Sequence, residues 1–527
     1  MGQTNRSILD RADSLELALE LLSFAGGENT ISEDQATKAN EARLLENWDA
    51  LSLGGMQRSK GFKRQGDGSG AGYANALDLL LHHKDAGGTA LYGIIHGDLV
   101  KLSGANLVQD DAAAFTNGVL SHGFSDEGGN AWITNATDNL KYKSVGIAIA
   151  TPASVPPTAC ARLKNHKNRM IAEGSATFPY RIYGTRAGKG NWSAADAWSL
   201  ANDAFSIDLP GTTQGTQPNF PSGNEVLAFT EDQAYSIYNF PNVAYRPIGT
   251  PSRGCSAPDS IALGDEGVYF VSRKPTLGVF LFDGTNYQEL TQFNRDVFVE
   301  MIDFSRRIFG VYVNRKYYLF YCETNSGVSY PNRCRVFDSK FGRWNNRPVN
   351  AALADTFGYP ALLKYSQNEL YVGSSQKQYL YQMETTDDND NGNDTQATFR
   401  TKDFSSRDFA VASGGAFPVD DVRMKLTKAI ITFQGTVGTL GIHWSADRGK
   451  YSGDKTVNLS ASGDLIGSTF IVGTSLVVTT PADKTVVIGF PNNAIGRRFS
   501  FDITNNGSST RPKVKKIKIL AVAYDEA

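Results

Sequence analysis

Five cationic side chains fall within eight residues: Arg162, Lys164, His166, Lys167 and Arg169. On a strand, successive side chains point to opposite faces, so Arg162, Lys164 and His166 share one face. Such a stripe has the charge and reach to line a channel and touch phosphate. The competing reading is charge pairing with carboxylates of a neighbouring sheet or protomer, which serves structure alone. A second candidate is the acidic run from Asp387. Asp387, Asn389 and Asn391 stand at calcium-loop positions one, three and five, with Gly392 at six. Position twelve is Thr398 where that geometry needs a bidentate carboxylate, so a solvated turn between domains is favoured.

Ser445-Ala446-Asp447-Arg448-Gly449 has the Ser-X-Asp-X-Gly core of the Asp-box turn of sialidases. It occurs once, and glycoside hydrolysis needs two carboxylates across a cleft, a spacing the sequence does not fix. The histidines are the adjacent pair His82-His83 and the isolated His96, His122, His166 and His443. No His-Glu-X-X-His run, Gly-X-Ser-X-Gly elbow or Walker-type phosphate loop accompanies them. Gly184 to Gly190 is glycine-rich but lacks the hydroxyl residue after Lys189, and reads as a loop. Cys322 and Cys334 flank Asn325-Ser326-Gly327 and are placed either to face each other in a bridge or to sit as two small buried thiols. No cysteine spacing fits a zinc site. The expectation is a chain with no catalytic residue, no cofactor and no metal, and therefore not an enzyme.

The elements that must position these residues are short aromatic strands joined by tight turns. Leu91 to Ile95 turns at His96-Gly97 into Leu99 to Leu102. Val226 to Phe229 turns into Ala234 to Tyr238. Val268 to Val271 is followed by Val279 to Phe282, Val311 to Val313 by Tyr317 to Phe320, and Leu362 to Tyr365 by Leu370 to Val372. Hairpins repeated in this way, with no long helix between them, bury their apolar faces by radial stacking. The expectation is an all-β chain: a β-propeller over 61–385, of about seven blades with six to eight all compatible, and a long loop insertion near 184–223. A polar linker follows at 386–398, then a β-sandwich over 399–527, read from six or more alternating strands. Residues 1–60 read as a short helical arm and opening segment. Within it Ile8, Ala12, Leu15, Leu19 and Leu22 fall on one face of an amphipathic helix, for packing on the chain's own propeller or docking on a neighbouring subunit. Ser32 reads as the cap of a second helix reaching Leu45 and Trp48. Lys513, Lys515, Lys516 and Lys518 read as guards of an exposed sheet edge.

With 527 residues and a net charge of -2, the chain is too long for one core and carries no general nucleic-acid-coating charge. No run approaches the ~18 to 20 apolar residues that span a bilayer. The start lacks a signal-peptide pattern, which suggests manufacture in a cytosol.

Three stretches together resemble the tail-nozzle and neck proteins of short-tailed bacteriophages. They are Asn40-Glu41-Ala42 through Asn47-Trp48 with Gly54 to Phe62; Arg162 to Met170 leading through Tyr180-Arg181-Ile182-Tyr183 to Trp192; and Gly254-Cys255-Ser256-Ala257-Pro258-Asp259-Ser260-Ile261 with Gly267 to Arg273, Gly278-Val279-Phe280 and Asp283-Gly284. The likeness covers roughly residues 25 to 400 and brings no catalytic residue. It implies a structural virion protein of the tail, assembled in the host cytoplasm as a homo-oligomer of about six copies. Its implied partners are a portal-adaptor protein, tail fibre or needle proteins, and DNA passing through the lumen without sequence-specific binding. The alternative is a host-surface glycan-binding or glycan-cleaving tail protein. That alternative expects Trp192, Trp198 or Trp344 exposed in a groove beside carboxylates, whereas the nozzle expects them buried or at protomer contacts.

Overall fold

The computed structural model describes the chain apart from residues 1–15, 22–27, 31–40, 51–54, 127–128, 297, 325, 328–330, 348–356, 364–368, 375–376, 386–388, 412–421, 435–438, 459–483, 508–510, 512 and 524–527. It divides into two compact units. One comprises 62–339 and 348–384, the other 1–61, 340–347 and 385–527.

In the larger unit consecutive strands pair antiparallel as small sheets, each a blade. Blade one is Leu77–Asp85, Gly88–Ile95, Asp98–Ser103 and Asn106–Asp111; blade two is Ser121–Ser125, Ala131–Asn135 and Lys141–Lys143. Blade three is Cys160–His166, Arg169–Ser175, Arg181–Gly184 and Phe205–Asp208; blade four is Thr216–Pro218, Val226–Phe229, Ala234–Tyr238 and Ala244–Ile248. Ala262–Leu263, Val268–Ser272, Gly278–Phe282 and Tyr287–Glu289 make blade five. Phe309–Val313, Lys316–Tyr321 and Arg333–Asp338 run through blade six, and Phe357–Leu363, Glu369–Ser374 and Tyr379–Met383 through blade seven. The fourth position of blade seven is taken by Lys63–Asp67, from the start of the unit. Asp67 in turn meets Asn106 of blade one.

Apolar clusters join the blades in order: seven with one, one with two, two with three, three with four, four with five and six with seven. Between five and six, Tyr269 stacks on Tyr312 and Tyr317, with ring centroids 5.3 and 5.1 Å apart. Seven sheets whose faces cover one another all the way round are a closed β-propeller. Strand identity follows sequence locally: Val268–Ser272 is buried along its whole length because a blade lies on each side of it.

The second unit is a β-sandwich. One sheet contains Met424–Gln434, Lys513–Ala523, Glu16–Leu21, Ala410–Val411, Trp48–Ala50, Met56–Arg58, Lys484–Gly489 and Ile495–Gly496. The other contains Leu44–Glu46, Thr395–Arg400, Arg498–Gly507, Thr439–Ala446, Tyr451–Asn458, Phe404–Ser405 and Arg343–Asn346. Alternation decides which face is inside: Leu440, Ile442, Trp444 and Ala446 all lie in the shared core.

Several expectations are corrected here. No α-helix occurs among the described residues. Over Glu16–Leu21 the expected helical arm is a strand lying between Lys513–Ala523 and Ala410–Val411. Leu17, Leu19 and Leu21 alternate with Ala18 and Glu20, so the pleat buries three leucines while Glu20 points out to Lys516 at 2.9 Å. Ladder hydrogen bonds on both sides outweigh the local preference for helix. Leu19 is therefore core of its own sandwich and not a docking residue; Ile8, Ala12, Leu15 and Leu22 lie outside the described residues. Of the second expected helix, 31–40 with Ser32 lie outside the described residues, while its later part is strand at Leu44–Glu46 and Trp48–Ala50. Lys513–Ala523 is an interior strand, so its lysines guard no edge.

The expected insertion at 184–223 contains the last strand of blade three and the first of blade four; the long connection within it is 185–204. In the expected linker, Asp390 and Asn393 close a turn and Thr395 begins a sandwich strand, while Asp387 lies outside the described residues. The Asp-box-like turn is a sandwich hairpin whose Asp447 accepts from the backbone N–H groups of Arg497 and Arg498. All four cysteines are free buried thiols, Cys322 and Cys334 included. Among the described residues no helix is long and apolar enough to cross a membrane, and no cluster of three or more potential ligands is placed to hold a metal ion.

Candidate functional site

Cys160–His166 is the first strand of blade three, and it carries Arg162 and Lys164 into a cavity shared by five successive blades. Blade two supplies His122, blade four Thr216, the turn before blade five Asp259, and blade six Phe309 and Gly310. Glu173, directly opposite Arg162 on the neighbouring strand, joins them from blade three itself. The cavity measures about 120 Å³.

Asp259 is the hub. Arg162 Nε donates to its Oδ1 at 3.1 Å, and His122 Nε2 lies 3.4 Å from the same oxygen. Its position is set by a short turn, Pro258–Ser260, begun by a proline whose missing N–H is no loss there. The Ser260 hydroxyl donates to Ala257 O at 2.6 Å and accepts from Val271 N at 3.0 Å, while Tyr317 Oη donates to Ser260 O at 2.7 Å. Gly310 passes so close that a Cβ there would stand 2.2 Å from Ser260 O. Because that obstacle is backbone, Gly310→Ala is expected to cost the propeller about 1–3 kcal/mol, read as a fall in its denaturation midpoint.

The two carboxylates are driven in opposite directions. Burial alone would raise Asp259, but His122 and Arg162 bring its pKa below the ordinary value. Glu173 is fully buried; burial raises its pKa, and the opposing pull of Arg162 and Lys164 does not restore it. Its Oε1 accepts from Thr216 Oγ1 at 3.2 Å, while Oε2 has no hydrogen-bond partner among the described residues. Burial takes His122 down to about 4, so its ring is neutral at pH 7 and Arg162 is the charge that balances Asp259. Burial likewise lowers the Lys164 pKa, against Glu173 and Asp259. Carboxylates separated in this way are a recurring feature of acid–base sites. The cavity, at about 120 Å³, is below the ~300 Å³ at which ligand pockets begin.

Arg162 and Lys164 thus come together, inside one propeller, in the cavity that also holds Asp259 and Glu173. His166 leaves them. Strand twist turns the end of Cys160–His166 away, and its ring packs on Phe240 at 4.9 Å beside a different pocket. Asp259, Glu173 and His122 were given no role from the sequence. For Glu173 a signal existed, a single acid after the apolar run Met170-Ile171-Ala172. Trp192, Trp198 and Trp344 are all buried, at 0%, 8% and 3% exposure, so none offers a platform for a sugar.

No protein-family model matches the chain, and no curated protein matches it. Among solved structures it is similar to YCF48 bound to D1 peptide, with 11% identity over 66% of this chain and 99% of that one and a TM-score of 0.39. BamB from Moraxella catarrhalis shares 9% identity over 65% of this chain and 94% of its own, at a TM-score of 0.33. An ancestral GH74 enzyme shares 10% over 65% of this chain and 50% of its own, at 0.39. Likenesses this distant transfer no role. The ring stands on its own strand pairing.

Proposed function

We propose that this chain is a structural component of a short-tailed phage tail. In this reading copies of it, roughly six, form a ring that extends the DNA exit channel, retains packaged DNA and offers attachment to fibres or a needle. Its action is mechanical: rigid β units set the shape of a tube, and no bond is made or broken. The observation that carries the non-catalytic half of this reading is the propeller's centre. Among the described residues, the carboxylates Asp259 and Glu173 that converge there share a cavity of about 120 Å³, below the ~300 Å³ at which ligand pockets begin. The tail assignment itself rests on the sequence resemblance. The burial of Trp192, Trp198 and Trp344 further weakens the glycan-cleaving alternative.

Negative-stain imaging of the purified full chain, alone and with a portal-adaptor complex, tests the proposal. Rings are expected, either free or on the adaptor. Particles that stay monomeric under both conditions while the preparation degrades a capsular polysaccharide would overturn it.

A further inference from the structure

The junction of blades three and four holds a second, larger pocket of about 370 Å³, within the range of small-molecule sites. Its floor is the hairpin tip His166-Lys167-Asn168-Arg169, and its opposite wall is Asn224, Asn239 and Phe240. We propose that it binds a carboxylate-bearing sugar, a uronic acid unit, by its ring face and its single negative charge.

Three features specify that ligand. First, no carboxylate lines the pocket, whereas Lys167, Arg169 and His166 do, so the site favours an anion. Second, the cationic supply suits one charge rather than a phosphate dianion. Arg169 Nη1 already donates to Thr185 O and Asp203 O, both at 2.6 Å, and its charge is offset by the nearby Asp203 carboxylate, which leaves the exposed Lys167 ammonium as the adjustable cation. Lys167 reaches across to Asn224 Oδ1, so its amine is held at the mouth. Third, the other groups are those that read a sugar: side-chain amides that both donate and accept, next to the Phe240 ring.

Isothermal titration of the full chain with glucuronic acid, glucose and inorganic phosphate tests this. Saturable binding of glucuronic acid is expected, with glucose and phosphate each weaker. Lys167→Gln keeps the hairpin and removes the charge, and should weaken glucuronic acid about tenfold, the scale of one charge-assisted contact, while leaving glucose unchanged. Phe240→Leu should weaken both sugars together. No binding of glucuronic acid, phosphate binding as tight as glucuronic acid, or an affinity indifferent to Lys167→Gln would each overturn the proposal. These outcomes are independent of whether the chain forms rings.

Discussion

Asp259→Ala is expected to destabilise the propeller by about 3 kcal/mol, whereas Glu173→Gln, in the same cavity, is expected to stabilise it at neutral pH. Asp259 and Arg162 are 15% and 18% exposed, so removing the carboxylate strands a guanidinium with little water around it. Breaking such pairs costs about 3–5 kcal/mol, and the water the cavity can hold places this one at the low end. Replacing both partners with apolar residues, Arg162→Met with Asp259→Leu, should recover most of the loss, because neither charge then needs compensation.

Glu173 works the other way. Its pKa is raised on folding, so the folded state binds its proton more tightly than the unfolded chain. That contribution is present below the unfolded glutamate value of ~4.3 and is lost as pH rises through the folded value. Glutamine imitates the protonated acid at every pH. The gain from Glu173→Gln should therefore be near zero in acid and grow towards neutrality. Asp259, with its pKa lowered, shows the opposite window: its stabilisation is present above ~3.9 and is lost as pH falls through the lower folded value. Urea unfolding of the two single variants from acid to neutral pH reads both signs at once. Equal loss from both variants at pH 7 would show that Glu173 is held as a paired charge after all.

Trp192→Ala should cost about 3–5 kcal/mol and free the 185–204 connection for proteolysis. The indole is wholly buried where blade two meets blade three. Its ring meets Trp132 and Phe124 edge-on, each at 5.9 Å, and its Nε1 donates to Asn168 O at 3.2 Å. Truncation would remove those ring contacts and leave a cavity that neighbouring strands cannot close. The check is limited trypsin digestion with mass spectrometry, where cleavage at Arg186 and Lys189 should appear in the variant and not in the parent. A variant as resistant as the parent would mean that other contacts, not this ring, hold the connection down.

The propeller was legible in the sequence because hairpins such as Val226–Phe229 with Ala234–Tyr238 are local: turn residues and β-branched or aromatic runs define them within a dozen positions. The long central strands of the sandwich, Met424–Gln434 and Thr439–Ala446, were legible through alternation. The opening segment was not. Glu16-Leu17-Ala18-Leu19-Glu20-Leu21 satisfies a two-residue period, but the leucines at 15, 19 and 22 also satisfy a helical one, and only a distant partner strand breaks the tie. The charged cavity was half legible. Arg162 and Lys164 stood out by spacing, but Asp259 reaches them from two blades away, and no local pattern announces a neighbour of that kind.

Strand Lys63–Asp67 completes blade seven, and Glu16–Leu21 lies against Lys513–Ala523. Read in the order a ribosome delivers them, these pairings nest like two sets of brackets. The earliest strands emerge first and wait longest, the inner set closing when residues near 383 appear and the outer only when the last strand is released. Until then Leu17, Leu19 and Leu21 lack the longer of their two partner strands, so nascent chains stalled before that point should be the form that chaperones hold and proteases find.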